Sequence, residues 1–228
     1  NANFGWRWYD DHRIETTSIF LRNTDDKASI IDSFTSSFPL SDGQGFREYG
    51  TRFEERNLTV NQIRGVHRFG GITRDLINVD KFEWLDELTV EWFYSDATTR
   101  TDIPNETNIL YKTNVDSVTA AVMAQTLQAS ASAGDFRFTD LDDAVESYGY
   151  DIKLPLMMSF AEVTLTGGYR YSQKTRTYEQ LEFGLGTDDS SVAQSFTGSV
   201  SDIFSNENIL DADNGFSIAV IGSNGESY

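Results

Sequence analysis

The sequence predicts an all-β protein: an antiparallel, up-and-down transmembrane β-barrel, of which this chain supplies about six or seven strands with long extracellular loops. Two observations support this prediction. Residues 161–177 alternate between apolar and polar side chains over a length that is unusual for a strand. The connections between the predicted strands also alternate in length, with short ones following long ones along much of the chain.

The segment 161–177 separates into two rows when it is read at every second residue. One row is apolar and the other polar: Val163, Leu165, Gly167, Tyr169 and Tyr171 against Glu162, Thr164, Thr166, Arg170, Ser172, Lys174 and Arg176. Because successive side chains of a strand point to opposite faces, this pattern predicts one two-faced strand. At about 3.3 Å per residue it would span roughly 55 Å, so we expect it to cross a membrane and project beyond it.

Other segments show the same alternation over shorter lengths. In the segment 85–99 an apolar row opposes a polar one: Leu88, Val90, Trp92 and Tyr94 against Glu87, Thr89 and Glu91. Phe4, Trp6 and Trp8 share one face, as do Tyr150, Ile152, Leu154 and Leu156 opposite Asp151 and Lys153. The segments 13–24 and 47–69 alternate less regularly. The predicted strands are therefore 4–9, 13–24, 47–69, 85–99, 148–156 and 160–178.

The predicted connections differ in length in the way that outer-membrane barrels require. Those at 10–12 and 157–159 are short and the one at 70–84 is intermediate, whereas three are long: 25–46, 101–147 and the residues from 179 onward. Such barrels have short periplasmic turns and long extracellular loops. A soluble sandwich rarely has structureless connections beyond about 15 residues. Within the longest loop, the composition of 115–130 predicts a short helix.

Composition and charge exclude several functions. The 228-residue chain contains no Cys, so disulfides, thiolate metal sites and nucleophilic cysteines are impossible. A net charge of −18 argues against a nucleic-acid partner, whose phosphates require a basic surface. The sequence contains no apolar run long enough to predict a transmembrane helix. Because the chain lacks a signal segment at its start and an obvious strand at its end, we expect it to be an internal piece of a longer protein.

Candidate site residues fall on the polar row and in the predicted loops. Arg170, Lys174 and Arg176 would either pair with acidic neighbours such as Glu87 and Glu91 or steer an anionic ligand. Six aromatic residues of the loops would either pack the loops or form a ligand platform: Phe34, Phe38, Tyr111, Phe136, Phe183 and Phe196. From these sets, the predicted ligand-binding residues are Arg170, Lys174, Arg176, Tyr111 and Phe136.

The remaining polar groups predict no catalytic, cofactor or metal site. The acidic clusters in the loops fit no Ca²⁺-binding spacing and are interpreted as solvated charge: Asp25–Asp26, Asp140 with Asp142–Asp143, and Asp188–Asp189. His12 and His67 are 55 residues apart and would need carboxylates to complete a zinc or catalytic site. Because no Ser–His–Asp arrangement stands in a credible context either, we expect no enzyme activity and no cofactor.

Three stretches resemble the barrel of a TonB-dependent outer-membrane receptor. The first is RFEERNLTVNQI at 52–63 with the strand at 85–100. The second is DIKLPL at 151–156 followed by GYRYSQKTR at 168–176, and the third is IFSNENI at 203–209 with NGFSIAVI at 214–221. An inward strand ending in K-x-P-L and an outward strand reading G-Y-x-Y-S-x-K-x-R are similar to many members of this family.

The resemblance implies a larger protein, to whose single barrel domain residues 1–228 belong. It implies a barrel of about 22 strands filled by an N-terminal plug, in the outer membrane of a Gram-negative bacterium. It also implies that the TonB complex, acting through the missing N-terminal part, drives uptake of a ferric siderophore, cobalamin, haem or oligosaccharide. The expected partners are outer-membrane lipid, the TonB complex and a small-molecule or oligosaccharide ligand, with no nucleic acid.

A different class of protein also agrees with part of the sequence. A soluble, acidic, β-rich carbohydrate-binding or adhesion module would account for the net charge and the strands. It would not account for a long strand with a continuous apolar row or for the alternating connections. A soluble module is expected to be monodisperse without detergent, whereas a piece of a barrel is expected to aggregate.

Overall fold

The structure of this protein is a computed structural model, and it describes residues 1–9, 11–70, 87–158 and 160–222. Eight strands form one sheet. Their bounds are β1 Ala2–Trp8, β2 His12–Ser33, β3 Gln44–Phe69, β4 Leu88–Val115, β5 Val122–Leu127, β6 Ser130–Met158, β7 Ala161–Thr187 and β8 Ser217–Gly222. The helices are short: Ser190–Ser195, Val200–Ile203 and Asn206–Leu210, with single 3-10 turns at Leu40–Asp42 and Ala212–Asn214. Every helix among the described residues is too short or too polar to cross a membrane.

The strands follow one another across the sheet in chain order. The order is β1-β2-β3-β4-β6-β7-β8, and β5 pairs with β4 as well. A tight hairpin joins β4 to β5, where Asp116 N donates to Ala121 O at 2.9 Å. Gln128 N then donates to Leu110 O at 3.0 Å, so β5 and β6 lie in succession along β4. The antiparallel pairing of sequence neighbours is confirmed, while the sheet formed by the described strands is not closed.

The chain divides into two compact units. Unit 1 comprises residues 1–22, 56–100 and 142–177, and unit 2 comprises residues 23–55, 101–141 and 178–228. Unit 1 consists of strand segments, and many of its large apolar side chains are exposed. The most exposed residues include Phe4, Trp6, Met157, Phe160, Leu165, Tyr169 and Tyr150.

Unit 2 has a conventional hydrophobic core. Side chains of β4, β5 and β6 pack against the short helices that follow β7, in a cluster of Ile109, Tyr111, Leu127, Ala133, Phe196 and Ile203. The sequence begins these helices with polar caps, as the exposed first N–H groups of a helix require. Asp189 accepts from Ser191 N at 2.7 Å, and Ser199 forms a capping box with Asp202.

The structure corrects the predicted strand lengths and loops. The strand predicted at 13–24 extends to Ser33, and the one predicted at 47–69 already begins at Gln44. The strand predicted at 85–99 extends to Val115. Most of the predicted loop 101–147 is strand, and 115–130 forms a hairpin and β5 rather than a helix. The predicted loop 25–46 is reduced to a short connection between β2 and β3. Most of the predicted turn 70–84 lies outside the described residues.

These lengths differ because a strand requires a hydrogen-bonded neighbour and does not require an apolar face. In 22–28 every side chain is exposed, yet the backbone remains in the ladder of β2. Without a buried face there is no reason for apolar residues to alternate, so the sequence shows no strand pattern there. With β5 and β8 included, the structure has eight strands instead of the predicted six or seven.

Gly134 lies against the core of unit 2, where there is little room for added volume. A Cβ at this position would lie 2.9 Å from Phe204 Cζ and 3.0 Å from both Ile109 Cδ1 and Phe136 Cε2. We expect Gly134→Ala to lower the free energy of unfolding by about 1–3 kcal/mol because the core must shift to admit the methyl group.

The matched control is Gly167→Ala on β7, where nothing lies within 4 Å of the new Cβ. This change should be neutral or slightly stabilising, because glycine weakens a strand. Denaturant titration of the intact protein measures both effects. Equal losses for the two variants would contradict the packing described for Gly134.

Candidate functional site

The three basic residues predicted on β7 lie in a row of ion pairs with β6. Arg170 Nη2 donates to Asp151 Oδ2 at 2.8 Å. Arg176 forms a bidentate ion pair with Asp143, in which Nε donates to Oδ1 and Nη2 donates to Oδ2, each at 2.7 Å. Lys174 Nζ lies 3.5 Å from the same carboxylate. Asp143 thus holds two cations, which brings Lys174 and Arg176 into one cluster.

The predicted pairing with acidic residues is therefore observed, but the expected partners were wrong. Glu91 pairs with Lys153 Nζ at 2.6 Å instead. The strand order explains the difference, because β6 lies between β4 and β7 and supplies the nearer carboxylates, Asp143 and Asp151. The side chain of Arg170 stays 71% exposed and that of Arg176 54% exposed. Both guanidinium groups can reach a ligand, although each already has an anionic partner.

The opposite face of β6 and β7 carries tyrosines. Tyr148 lies 5.2 Å from Tyr171 and 6.4 Å from Tyr169, measured between ring centroids. Tyr150 contacts Tyr169 at 6.4 Å. Tyr169 and Tyr171 thus meet aromatic partners while Arg170 and Lys174 meet carboxylates. This is the separation that the alternation of the sequence predicted for these four residues.

The two aromatic residues predicted to bind ligand lie in the core of unit 2. Tyr111 is fully buried, and Phe136 packs against the cluster around it. Burial raises the pKa of Tyr111 to about 12, and its hydroxyl has no hydrogen-bond partner within the described residues. Phe136 stacks on Phe183 at 5.5 Å and meets Phe204 edge-on at 5.8 Å. Both positions are those of packing residues, and Arg170, Lys174 and Arg176 belong to the other unit.

The structure also brings together two histidines that sequence reasoning left apart. His12 Nδ1 and His67 Nδ1 are 3.1 Å apart, although 55 residues separate them in the chain. Trp92 Nε1 donates to His67 Nε2 at 2.9 Å, and Trp8 stacks on His12 at 5.2 Å. In the sequence, the feature that His12 and His67 share is a position near the end of a predicted strand. Which strands pair, and in what register, is invisible in the sequence.

The tautomer of His67 limits what the histidine pair can bind. An indole N–H only donates, so His67 Nε2 accepts and its Nδ1 carries the proton that lies between the two rings. A metal ion at the two Nδ1 atoms would have to displace that proton. Within the described residues no group of three or more His, Asp or Glu side chains is arranged to hold a metal ion.

The acidic clusters noted in the sequence have structural partners at several positions. Asp189 caps a helix, and Asp188 accepts from Ala131 N at 2.8 Å. Asp143 belongs to the ion-pair cluster with Arg176. Asp143, Asp188 and Asp189 therefore each have a partner within the protein.

The chain matches no model of a known protein family, and no curated protein matches it.

The pH response of Asp143 tests the ion-pair cluster. Hydrogen bonds from Arg176, together with the charges of Arg176 and Lys174, lower the pKa of Asp143 from 3.8 to about 2. A lowered folded-state pKa means that the contribution of this pair is complete above about pH 4 and is lost as the pH falls through about 2. Carbon-13 NMR of the Asp143 carboxyl group should show this titration directly.

Arg176→Gln should move the titration of Asp143 back towards its ordinary range, because the bidentate ion pair is lost. Arg170→Gln is the matched control, since Arg170 contacts Asp151 and not Asp143. An Asp143 carboxyl that titrates near 4 in the unmodified protein would contradict the cluster.

Proposed function

We propose that this chain is part of the barrel of a TonB-dependent outer-membrane receptor, which imports a scarce ligand into a Gram-negative cell. The observation that supports this proposal best is the two-faced sheet of unit 1. One face carries exposed apolar and aromatic side chains, and the other carries paired charges. The sequence resemblance and the long antiparallel strands agree with the same function.

The exposed apolar face requires a partner that is itself apolar. Leu165 is 54% exposed, Phe4 67% and Trp6 62%, in strands where neighbouring side chains of the other row are polar. Soluble monomers rarely expose large contiguous apolar patches. In the proposed barrel this face contacts lipid, and the tyrosines and tryptophans occupy the interface of the membrane with water.

The charged face suits the lumen of such a barrel. Ion pairs line it from strand to strand, with Arg64 on Glu15, Lys153 on Glu91 and Arg170 on Asp151. A strand needs about 9–11 residues to span a bilayer, so in β7 the spanning segment covers about 161–171. Asp143 and Arg176 then lie beyond it, where water reaches them.

The free edges of the sheet also fit a larger assembly. β1 and β8 are the ends of the strand order, and each has an unpaired edge within the described residues. A membrane admits a sheet only when every backbone group is paired, so the proposal requires further strands in the intact protein.

A receptor of this kind would capture its ligand through long loops, but most of 101–147 is strand and the connection 25–46 is short in the structure. We therefore assign ligand capture to unit 2, whose hairpin 116–121 and helical segment 190–214 remain as irregular elements. No bond-making step is part of the proposal. Uptake instead requires the TonB complex, which would act through the part of the protein that precedes the barrel.

The soluble-module alternative has one observation in its favour. Unit 2 has a buried core covered by capped helices, as a water-soluble domain would. The exposed apolar face of unit 1 is the feature that such a module would not retain, and for that reason we favour the receptor.

Membrane fractionation of the intact protein in a Gram-negative host tests the proposal. We expect it in the outer-membrane fraction, and we expect the unboiled protein to migrate faster than the boiled protein on a denaturing gel, as folded barrels do. A protein that is soluble and monodisperse without detergent would overturn the receptor in favour of the module.

Capture on the immobilised periplasmic domain of TonB tests the energy source separately, and a heat-modifiable barrel that never binds TonB would overturn that part alone.

Substitutions at adjacent positions of β7 test the two faces. Leu165→Arg should cost about 2–4 kcal/mol if this residue lies near the middle of the bilayer, because a charge would face lipid. Thr164→Arg, one residue away and on the polar row, should cost much less. Folding titrations into lipid vesicles measure both, and equal losses would contradict the assignment of faces.

A further inference from the structure

A small cleft in unit 2 is lined mostly by uncharged polar side chains. It lies among the start of β3, the paired strands β4 and β5, and the helix Ser190–Ser195, and it has a volume of about 260 Å³. We call it the amide cleft, and its lining residues are Gln44, Lys112, Asn114, Ala124, Gln125, Thr126 and Gln194. Four of these seven residues are Asn or Gln, although Asn is depleted in strands.

The backbone pairing brings these side chains into adjacent rows. Lys112 pairs with Thr126 and Asn114 with Ala124 across the β4–β5 ladder. Val115 N donates to Gly43 O at 2.9 Å, which places Gln44 beside Asn114. Ala124 is the smallest side chain of the lining and is exposed, which leaves the space between its longer neighbours open.

The amide groups of the cleft are available for a ligand. Within the described residues the side chains of Gln44, Asn114 and Gln194 make no hydrogen bond. Gln125 Oε1 accepts from the Tyr49 hydroxyl at 3.0 Å, which fixes this amide and leaves its NH₂ group to donate. Each free amide offers two donors and one acceptor. Together they form a set of donors and acceptors without a net charge.

An aromatic pair borders the cleft on the side of Lys112. The Lys112 ammonium lies 5.3 Å from the centroid of the Phe38 ring, and Phe38 meets Phe46 edge-on at 5.5 Å. Both rings are partly exposed. A flat ring beside amide groups offers an apolar surface and directional hydrogen bonds to the same ligand.

We propose that the amide cleft binds a neutral saccharide. Vicinal hydroxyl groups both donate and accept, which matches side-chain amides, and the C–H faces of a sugar ring match an aromatic surface. This inference rests on the proposed function in that the saccharide is then what the receptor imports. The volume lies just below the range of ligand pockets, about 300–1,000 Å³, so the cleft takes a single sugar ring of a longer chain.

The charges around the cleft favour a neutral sugar over an acidic one. Lys112 is the only ionised group of the lining, and its ammonium already lies over the ring of Phe38. The whole chain has a net charge of −18, which repels an anionic polysaccharide at long range. A site for anions would need a further guanidinium or ammonium group that the lining does not contain.

A glycan array probed with the intact protein tests the ligand class, with neutral glucans, mannans and galactans in one arm and uronic-acid and sialylated chains in the other. We expect neutral chains to bind. For the best of them, calorimetry should show about three- to tenfold weaker binding for each of Asn114→Ala and Gln194→Ala, since each change removes hydrogen bonds. Ala124→Phe should abolish binding because the larger side chain fills the cleft, while it leaves every amide in place.

Gln173→Ala is the matched control, because this exposed amide lies on β7 in unit 1 and should not alter affinity. The proposal is overturned if no neutral glycan binds, if only acidic chains bind, or if the cleft variants bind as tightly as the unmodified protein. A heat-modifiable outer-membrane protein that binds no neutral glycan would refute the ligand class alone. A soluble protein that binds glycans through the cleft would refute the receptor and leave the saccharide site standing.

Discussion

The backbone hydrogen-bond ladder between neighbouring antiparallel strands determines where the functional side chains of this protein lie. It fixes the period of two along each strand and the partner across each pair, so a slip of one residue would exchange the two faces. The ion pairs of Arg170 and Arg176, the stacked tyrosines opposite them and the rows of the amide cleft all follow from this ladder. Packing alone could not impose it in unit 1, where the strand side chains are largely exposed.

The two units depend on the ladder to different degrees. In unit 2 the apolar side chains of the strands are covered by the helices that follow β7, and Tyr111 and Ile109 are buried as in any globular core. Unit 1 buries no comparable cluster within the described residues, so its apolar row must gain its stabilisation elsewhere. A lipid environment supplies that stabilisation without further protein, which is why the membrane proposal rests on unit 1.

The sequence predicted the strands of unit 1 and missed the extended ends of β2 and β4. The alternation in β7 identified its course and separated Tyr169 from Arg170, as the structure shows. By contrast, residues 22–28 of β2 are exposed and polar on both faces, which resembles a loop. The end of β4 alternates buried Ile109, Tyr111 and Val115 with exposed Lys112 and Asn114, yet it was also expected to be a loop. Their extended structure depends on pairing with distant strands, and a single sequence holds no record of that pairing.

The same limit explains why the candidate sites were only partly foreseen. His12 and His67, or Gln44 and Asn114, become neighbours through the register of strands that are far apart in the chain. Tyr111 and Phe136 were expected in loops, and their burial depends on helices whose packing on β4 and β6 no local pattern predicts. The shared face of Arg170, Lys174 and Arg176 was predicted correctly because all three residues belong to one strand, where local periodicity is sufficient.

The amide cleft and the apolar face make separate demands on the protein. The cleft requires only the fold of unit 2, because every residue of its lining and both bordering rings belong to that unit. The apolar face of unit 1 requires an apolar environment whatever the ligand is. A receptor would meet both demands in one molecule, because lipid would cover the exposed row of unit 1 and unit 2 would supply the cleft. A soluble saccharide-binding module would meet the first demand and leave Phe4, Trp6 and Leu165 exposed to solvent. The apolar face, and not the cleft, therefore decides between the two functions.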